Sequence, residues 1–335
     1  MNSNTGNTEV SYGSLSLEIL YKRTDTGFPS FSASDRKSHP HTTAEMALLY
    51  ALANHADEHY EKISIPKRNG TKRILHAPDS VLKYVQTQIL RQVLREFPVS
   101  GYACAYQKGI SLRSNAFPHQ AQKLVLKLDI QDFFDSISYI SVYQHGFHCE
   151  RIPDSVRTLL AHLCCYKDRL PQGAPTSPYL SNLVMKPFDE YMGNWCRVRE
   201  IAYTRYCDDM TFSGDFHPKE VLKKAEGFLN RLGFELNHKK TRICSQKNRQ
   251  EITGIVANEK LQVPKNYRRR LRQECYYIRK FGLENHLSHI EYTGDKQKYL
   301  QRLLGKIQYV LQINPEDGEF CEWKRWITNS FFIHD

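Results

Sequence analysis

Apolar residues recur along the first third of the chain at spacings that predict helix and then hairpin. A helix is expected from Thr43, because four small or apolar residues share one helical face: Ala44, Ala47, Leu48 and Ala51. Two short β-prone runs then flank Asn69-Gly70 within residues 63–75, which is a strong hairpin signal. Four basic residues lie on this hairpin: Lys67, Arg68, Lys72 and Arg73. The hairpin is therefore either a solvated surface element or a finger that grips phosphates.

A nearly continuous apolar run at Leu124–Leu128 predicts a buried strand that ends in Asp129. Ser177-Pro178 predicts a helix start, with Pro at the first helical position and Pro187 expected to kink the helix. Two further strands, at Ala202–Tyr206 and Met210–Ser213, are expected to form a hairpin through Cys207-Asp208-Asp209.

The last third predicts another amphipathic helix from Pro218 to a stop at Gly233, followed by a hairpin. The hairpin strands are Ile252–Ala257 and Leu261–Pro264. Beyond Pro264 the chain is expected to be helical and strongly basic, with tyrosines interleaved. This order of elements predicts an antiparallel sheet with helices packed on one face, an α+β fold.

Composition adds an excess of positive charge to this picture. The 335 residues include 47 Lys and Arg against 36 Asp and Glu, a net charge of +11, which favours a polyphosphate partner such as a nucleic acid. No run of about 20 apolar residues predicts a membrane span. The N-terminus has no secretion signal, and the nine cysteines include no C-x-x-C pair. We therefore expect a cytoplasmic protein with reduced thiols, without a membrane partner, a disulfide framework or a zinc site.

Three carboxylates carry the candidate chemistry. Asp208 and Asp209 occupy a predicted turn, where Asp pairs are common for conformational reasons alone, but Asp129 ends a strand of the same predicted sheet. If the three converge, they would repel one another unless divalent cations neutralise them, and Mg²⁺ prefers such oxygen ligands. Two such ions about 3.5 to 4 Å apart would suit nucleotidyl transfer.

Five elements in this order resemble the motifs of reverse transcriptases. The motifs within residues 63–257 are the basic hairpin, Asp129-Ile130-Gln131-Asp132-Phe133-Phe134, Leu170–Pro178, Tyr206-Cys207-Asp208-Asp209, and Gly233–Asn237 followed by Lys240-Thr241. Two more elements resemble the retron type of this family. These are Asn115-Ala116-Phe117-Pro118-His119, similar to an Asn-Ala-x-x-His element, and Ile252-Thr253-Gly254, similar to Val-Thr-Gly. The chain departs from the retron pattern at Cys207, where Ala is more frequent, and at Ile252.

The resemblance implies a catalytic triad of Asp129, Asp208 and Asp209, with two Mg²⁺ ions as cofactor and the Ile130 carbonyl as a further ligand. It implies a nucleotide site at Lys72, Arg73, Phe134, Gln172, Gly173 and Lys240. Phe134 would be the steric gate against ribonucleotides or, as the alternative, a core Phe. Either Lys72 or Arg73 would contact the triphosphate, with Lys67 and Arg68 as alternatives. Lys240 would donate a proton to pyrophosphate, contact the template or remain solvated. Asp132 and Asp135 are interpreted as structural.

The resemblance also implies contacts with primer, template and a structured RNA. The residues concerned are Tyr206, Asn115, His119, Thr253, Gly254, Arg268, Arg269, Arg270, Arg272 and Tyr276. For Asn115 and His119 the alternative is a capping Asn and a surface His, and for the basic run it is a solvated helix.

The implied fold is a right-hand polymerase. Its expected parts are an N-terminal extension (1–42), fingers (43–122 with part of 140–175), palm (123–260) and helical thumb (261–335). The implied function is Mg²⁺-dependent DNA synthesis on a cognate noncoding RNA (msr-msd). Synthesis would use dNTPs, would be primed from an internal guanosine 2′-OH to give branched RNA–DNA (msDNA), and would serve phage defence with a separate effector protein of the same operon. Alternatives are an abortive-infection or intron-like reverse transcriptase and a non-catalytic RNA-binding scaffold.

Overall fold

The computed structural model describes residues 40–66, 70, 72–147 and 152–332. The N-terminal extension therefore lies almost wholly outside the described residues, as do Lys67 and Arg68. Of the nine cysteines, the eight that are described are free thiols. None of the helices in the described part of the chain is long and apolar enough to cross a membrane.

The strands in chain order are β1 (Tyr60–Pro66), β2 (Lys72–Pro78), β3 (Leu124–Asp129), β4 (Ala202–Tyr206), β5 (Asp209–Gly214), β6 (Arg242–Ser245), β7 (Glu251–Ile252) and β8 (Ile255–Val256). The α-helices are α1 (Pro40–Asn54), α2 (Ser80–Gln88), α3 (Leu112–Ala116), α4 (Phe133–Ser136), α5 (Tyr139–Ser141), α6 (Asp154–Cys164), α7 (Ser177–Arg197), α8 (Pro218–Arg231), α9 (Lys265–Phe281), α10 (Leu283–His289), α11 (Lys296–Ile313) and α12 (Gly318–Phe331). Short 3₁₀ or π turns lie at Ala56–His59, Ile89–Val93, Leu94–Glu96, Phe117–His119, Val142–Gly146 and His238–Lys240.

The chain divides into two compact units. The first comprises residues 1–100 and 132–186, and the second comprises residues 101–131 and 187–335. The finer division into fingers, palm and thumb stays a prediction.

The first unit contains the predicted basic hairpin. Strands β1 and β2 pair antiparallel from Tyr60 opposite Pro78 to Pro66 opposite Lys72, which confirms the hairpin signal. Behind it, helix α2 is capped by Asp79, whose side chain accepts a hydrogen bond from the Leu82 amide (2.9 Å). The buried Gln86 amide of α2 donates to the Leu163 carbonyl of α6 (2.8 Å), which ties the two helices together.

The second unit is built on a four-stranded antiparallel sheet in the order β4-β5-β3-β6. Aromatic residues pack between this sheet and its helices. Phe188 of α7 contacts Tyr203 of β4 and Phe228 of α8 edge to face (ring centroids 6.4 and 5.7 Å), and Tyr203 stacks on Phe212 of β5. The structure thus confirms an α+β architecture with helices packed against an antiparallel sheet.

The last four helices surround a separate apolar cluster of the second unit. Leu271, Cys275 and Ile278 recur along one face of α9 and are buried against α11 and α12. Asp317 caps α12 by accepting a hydrogen bond from the Phe320 amide (3.5 Å). The prediction that the chain is helical beyond Pro264 is confirmed.

The hairpin predicted from Ile252–Ala257 is partly wrong. Its first strand is broken by Thr253 and Gly254, whose φ angles are +45° and +84°, and the chain turns there to pair β7 with β8. Only an isolated bridge between Val256 and Gln262 remains of the expected pairing. Gly supplies the positive φ that the turn requires, a local constraint that the apolar periodicity conceals.

Strand β6 was not predicted. It pairs with β3 through Arg242 opposite Lys127 and Ser245 opposite Leu124. Its side chains are polar or partly exposed, with Ile243 56% exposed, because β6 is the edge of the sheet. An edge strand without apolar alternation carries little signal in the sequence.

Gly193 of α7 lies where no side chain fits, since a Cβ there would overlap the Tyr102 ring. We expect Gly193→Ala to lower the free energy of unfolding by about 1–3 kcal/mol, measured by urea denaturation. Gly227→Ala in α8 is the control, because a Cβ at Gly227 meets nothing within 4 Å. That variant should be neutral or more stable by up to about 1 kcal/mol, because Ala favours helix. Equal effects of the two substitutions would contradict the close contact.

Candidate active site

The β4–β5 hairpin presents Asp208 at its tip. The strands pair up to Tyr206 opposite Asp209, so only Cys207 and Asp208 form the turn. Cys207 has φ +61°, the left-handed conformation that a two-residue hairpin turn needs. This conformation costs a non-glycine residue about 1–2 kcal/mol, so contacts elsewhere must hold the turn.

The end of β3 meets this turn. Asp129 lies opposite Asp209 in the antiparallel register, and the Ile130 amide donates to the Asp208 carbonyl (3.0 Å). The structure thus brings the three predicted catalytic residues, and Ile130, to the end of the sheet where the central strand β3 stops and β5 begins, which we call the carboxylate edge.

Two lysines neutralise this edge. Lys240 Nζ donates to both carboxylate oxygens of Asp129 (2.8 and 3.0 Å), and Lys127 Nζ pairs with Asp209 Oδ2 (3.0 Å). Lys127 was missed by sequence analysis, although it lies two residues before Asp129 on β3 and therefore on the same face.

Burial and mutual repulsion act together on these carboxylates. Burial raises the pKa of Asp129, the Lys240 hydrogen bond opposes this, and the charge of Asp208 adds to it. Burial also raises the pKa of Asp209, against the effect of Lys127 and with that of the other two carboxylates. The hydrogen bond to Asp129 in turn raises the pKa of Lys240. The edge of the sheet is therefore a place where negative charge requires cations.

The donor set suits a hard divalent cation. Within the described residues no group of three or more His, Cys, Asp or Glu side chains is arranged as a metal cluster. Instead, the ammonium groups of Lys127 and Lys240 form ion pairs with Asp209 and Asp129, at the oxygens that a metal ion would bind. Carboxylate oxygens at one edge, together with the charge they need neutralised, fit Mg²⁺ chemistry.

The segment that follows α8 places the Lys240 side chain against Asp129. The Gln131 amide donates to the Glu235 carbonyl (2.8 Å), and the Asn237 amide donates to the Asp129 carbonyl (2.8 Å). A 3₁₀ turn at His238–Lys240 follows directly. The predicted motif at Gly233–Asn237 is thus the backbone support that positions Lys240.

Within the first unit, Gln172 and Gly173 lie against strand β2. The Gln172 carbonyl accepts a hydrogen bond from the His76 amide (2.7 Å). Gly173 has φ +126°, and a Cβ there would lie 2.9 Å from the His76 carbonyl oxygen. The close backbone approach expected at Gly173 is therefore to the hairpin strand that begins with Lys72 and Arg73, both exposed.

Phe134 of the same unit is half-buried and meets Phe133 edge to face, with centroids 5.4 Å apart. Asp132 has a left-handed φ of +44° and precedes α4, where its carbonyl accepts the Ser136 amide (2.9 Å). Burial and the neighbouring Asp132 charge raise the pKa of Asp135. The structural interpretation of Asp132 and Asp135 stays a prediction.

The structure buries both Asn115 and His119, which corrects the alternative of a surface His; their contact with RNA stays a prediction. Asn115 is 1% exposed and donates to Thr253 Oγ1 (3.2 Å). His119 is fully buried and hydrogen-bonds with Ser213 Oγ (2.7 Å) and Thr204 Oγ1 (2.8 Å). Burial lowers the pKa of His119 to about 3, so the ring is neutral at ordinary pH. These side chains join the α3 segment to the sheet and to the Thr253-Gly254 turn.

The basic residues of α9 separate into two sets. Arg268 and Arg272 form ion pairs with Asp317 and Glu319 of α12, and Arg268 Nη2 lies 2.6 Å from Asp317. The Arg268 guanidinium has an internal partner and is largely buried, and its contact with nucleic acid stays a prediction. Arg269, Arg270 and Tyr276 are exposed. Tyr277, one of the tyrosines interleaved with the basic run, and Phe281, which sequence analysis missed, extend this exposed face at helical spacing.

Comparison with known proteins places these residues in a family. A family model described as reverse transcriptase (RNA-dependent DNA polymerase) matches residues 65–263, a span that contains Asp129, Asp208 and Asp209. The Retron Mx65 reverse transcriptase of Myxococcus xanthus is 33% identical over 281 residues, covering 78% of this chain and 63% of that protein. The Retron Ec86 reverse transcriptase of Escherichia coli is 32% identical over 244 residues, covering 71% of this chain and 75% of that protein. The chain thus spans less than two thirds of the Mx65 protein.

A buried neutral histidine makes stability depend on pH. In the unfolded chain His119 takes up a proton near its ordinary pKa of 6.5, whereas the folded protein resists it down to about 3. Stability should therefore fall as pH falls through this window, by up to about 1.4 kcal/mol per pH unit from this group. We expect His119→Gln to flatten the slope measured by urea denaturation between about pH 6 and 4.

The control is His217→Gln, which changes an exposed histidine without a side-chain capping bond. It should leave the slope as in the unsubstituted protein. An unchanged slope in His119→Gln would show that His119 titrates normally and is open to solvent.

Proposed function

Since the chain belongs to the reverse transcriptase family and is of its retron type, we propose that it is an RNA-directed DNA polymerase. One observation carries the proposal. Asp129, Asp208 and Asp209 lie at one sheet edge, inside the span that matches the family model, with two lysines against them. Such an edge suits the handling of a triphosphate and a primer hydroxyl.

We propose that Asp129 and Asp208 would hold two Mg²⁺ ions, with Asp209 and the Ile130 carbonyl beside them. Bound there, the ions would activate the attacking hydroxyl and neutralise charge on the leaving pyrophosphate. The antiparallel register keeps the Asp129 and Asp209 backbones opposite each other without any ligand. Lys127 remains available to hold Asp209, because it reaches that carboxylate from its own strand.

The family resemblance supplies the further roles that we propose. Lys240 is 59% exposed at its side chain and would turn from Asp129 to the departing pyrophosphate as a cation and proton donor. Phe134 would exclude the ribose 2′-OH, and Gln172 with Gly173 would line the nucleotide. Lys72 and Arg73, exposed on β2, would contact the triphosphate. Tyr206 would pack near the primer end.

The proposed template is a cognate noncoding RNA, with priming from an internal guanosine 2′-OH and a branched RNA–DNA product. The net charge of +11 and the exposed Arg269, Arg270 and Tyr276 support binding to a nucleic-acid backbone. The names of the two relatives, both retron reverse transcriptases, support this choice of template. A role in phage defence with a separate effector protein is the corresponding biological proposal.

The catalytic assignment is tested with Asp208→Asn. The protein is expressed with its flanking genomic DNA and purified, and its bound nucleic acid is treated with RNase, DNase and debranching enzyme. We expect DNA joined to RNA through a debranching-sensitive bond, and a loss of at least about 100-fold in Asp208→Asn because a metal ligand is removed.

Asp215→Asn is the matched control, because Asp215 follows β5 but is 79% exposed and pairs with the exposed Lys123. It should retain the product. DNA without a branch would overturn the retron priming, and RNA without DNA would favour a non-catalytic scaffold.

The metal assignment is tested with Lys240→Gln. Because Lys240 competes for Asp129, its removal should strengthen Mn²⁺ binding to the free protein about two- to fivefold, as expected for a partly exposed ion pair. The measurement is an electron paramagnetic resonance titration of Mn²⁺ without nucleotide. Lys239→Gln, at an exposed neighbour, should bind Mn²⁺ as the unsubstituted protein does. Unchanged affinity in Lys240→Gln would place the metal away from Asp129.

A further inference from the structure

Arg205 is a charged side chain with no contact with water. It immediately precedes Tyr206-Cys207-Asp208-Asp209 and is 0% exposed. Arginine is almost never buried in this way unless it is paired. Its partner is Asp189 of α7, also 0% exposed, bound through Nε to Oδ1 (2.8 Å) and Nη2 to Oδ2 (2.6 Å). The Tyr203 hydroxyl donates to the same Oδ1 (2.8 Å).

The remaining arm of the guanidinium reaches the catalytic turn. Arg205 Nη1 donates to the Cys207 carbonyl (2.8 Å), at the residue whose φ of +61° makes the turn unfavourable by itself. The carbonyl leads directly into Asp208. One planar group therefore connects a helix, a strand and the tip of the hairpin.

Hydrogen bonds also hold the backbone from which the Arg205 side chain projects. Its amide donates to the Tyr102 carbonyl (2.8 Å), and its carbonyl accepts from the Cys104 amide (2.7 Å). The turn has a second support on its side chain, because the Tyr106 hydroxyl donates to Cys207 Sγ (3.1 Å). Cys207 is thus held at its carbonyl and at its thiol by two different segments.

We propose that Arg205, assisted by Tyr106, is a positioning residue for Asp208. Asp189 orients the guanidinium, which holds the Cys207 carbonyl and thereby sets where the Asp208 carboxylate stands relative to Asp129. The role needs the planar fork of arginine, because lysine keeps the charge but cannot bind Asp189 through two parallel bonds and the carbonyl at once. The catalytic role of Arg205 rests on the proposed function, whereas its hydrogen bonds to Asp189 and Cys207 do not depend on that function.

The test compares Arg205→Lys with Tyr203→Phe. Tyr203→Phe is the matched control, because it removes one hydrogen bond from Asp189 in the same buried cluster and leaves the Cys207 contact in place. Each protein is assayed for thermal unfolding, for Mn²⁺ affinity without nucleic acid, and for kcat and KM with a dNTP on a primed RNA template.

We expect Arg205→Lys to weaken Mn²⁺ binding about tenfold and to lower kcat about 100-fold, with KM for the dNTP within about threefold, because a displaced carboxylate affects the chemical step. Tyr203→Phe should keep its Mn²⁺ affinity and its kcat within about threefold of the unsubstituted protein, even if its melting temperature falls as much as that of Arg205→Lys. Equal Mn²⁺ affinity and kcat in the two folded variants would overturn the proposal and leave Arg205 a stabilising residue only.

Tyr106→Phe provides the same test on a side chain that is 45% exposed, should Arg205→Lys fail to fold. A fall in kcat of about three- to tenfold with unchanged KM supports the positioning of Cys207, and no change overturns it. The proposed function fails separately. If the unsubstituted protein makes no DNA, polymerase activity is refuted, while the Mn²⁺ affinities of the variants still decide the role of Arg205.

Discussion

Repulsion among three carboxylates at one sheet edge is the constraint around which the second unit is organised. The register that places Asp129 opposite Asp209 cannot relax without breaking the central strand pair, so the charge must be neutralised where it stands. Lys127 and Lys240 do this with protein atoms alone. Burial above all, with a smaller contribution from the neighbouring carboxylates, raises the pKa values of Asp129 and Asp209 despite these lysines, so a further cation at this edge would stabilise the charged carboxylates.

Strand β4 leads directly into the turn that contains Asp208, and polar contacts hold this strand on both of its faces. On one face Arg205 binds Asp189, and on the other Thr204 hydrogen-bonds with the buried His119. Breaking a buried ion pair by removing one partner costs about 3–5 kcal/mol, whereas an apolar replacement of both partners can be neutral. Such contacts therefore say more about where the strand must lie than about how stable the protein is. The strained turn at the end of β4 is held in place because these contacts fix the position of the strand.

Helix α9 shows how one element serves the core and a surface at once. Leu271 and Cys275 face the apolar cluster, while Arg268 pairs with Asp317 at the start of α12. Arg269 and Tyr276 are left on the outer face. A run of basic residues in a sequence is therefore not one binding surface, because helical periodicity divides it between internal partners and solvent.

Apolar periodicity and turn residues act locally, so the amino-acid order was enough to predict the α+β class, the basic hairpin, the strand ending in Asp129 and the turn carrying Asp208. It also indicated the family, through motifs that keep their order along the chain. The contacts of Lys127 and Lys240 with the carboxylates, the position of β6 as the outer strand beside β3, and the burial of His119 became evident only in the folded structure. The folded structure also decided which arginines of α9 have partners. Those outcomes depend on contacts between residues distant in sequence, such as Arg205 with Asp189 and Asn115 with Thr253, and burial and register are properties of the assembled fold.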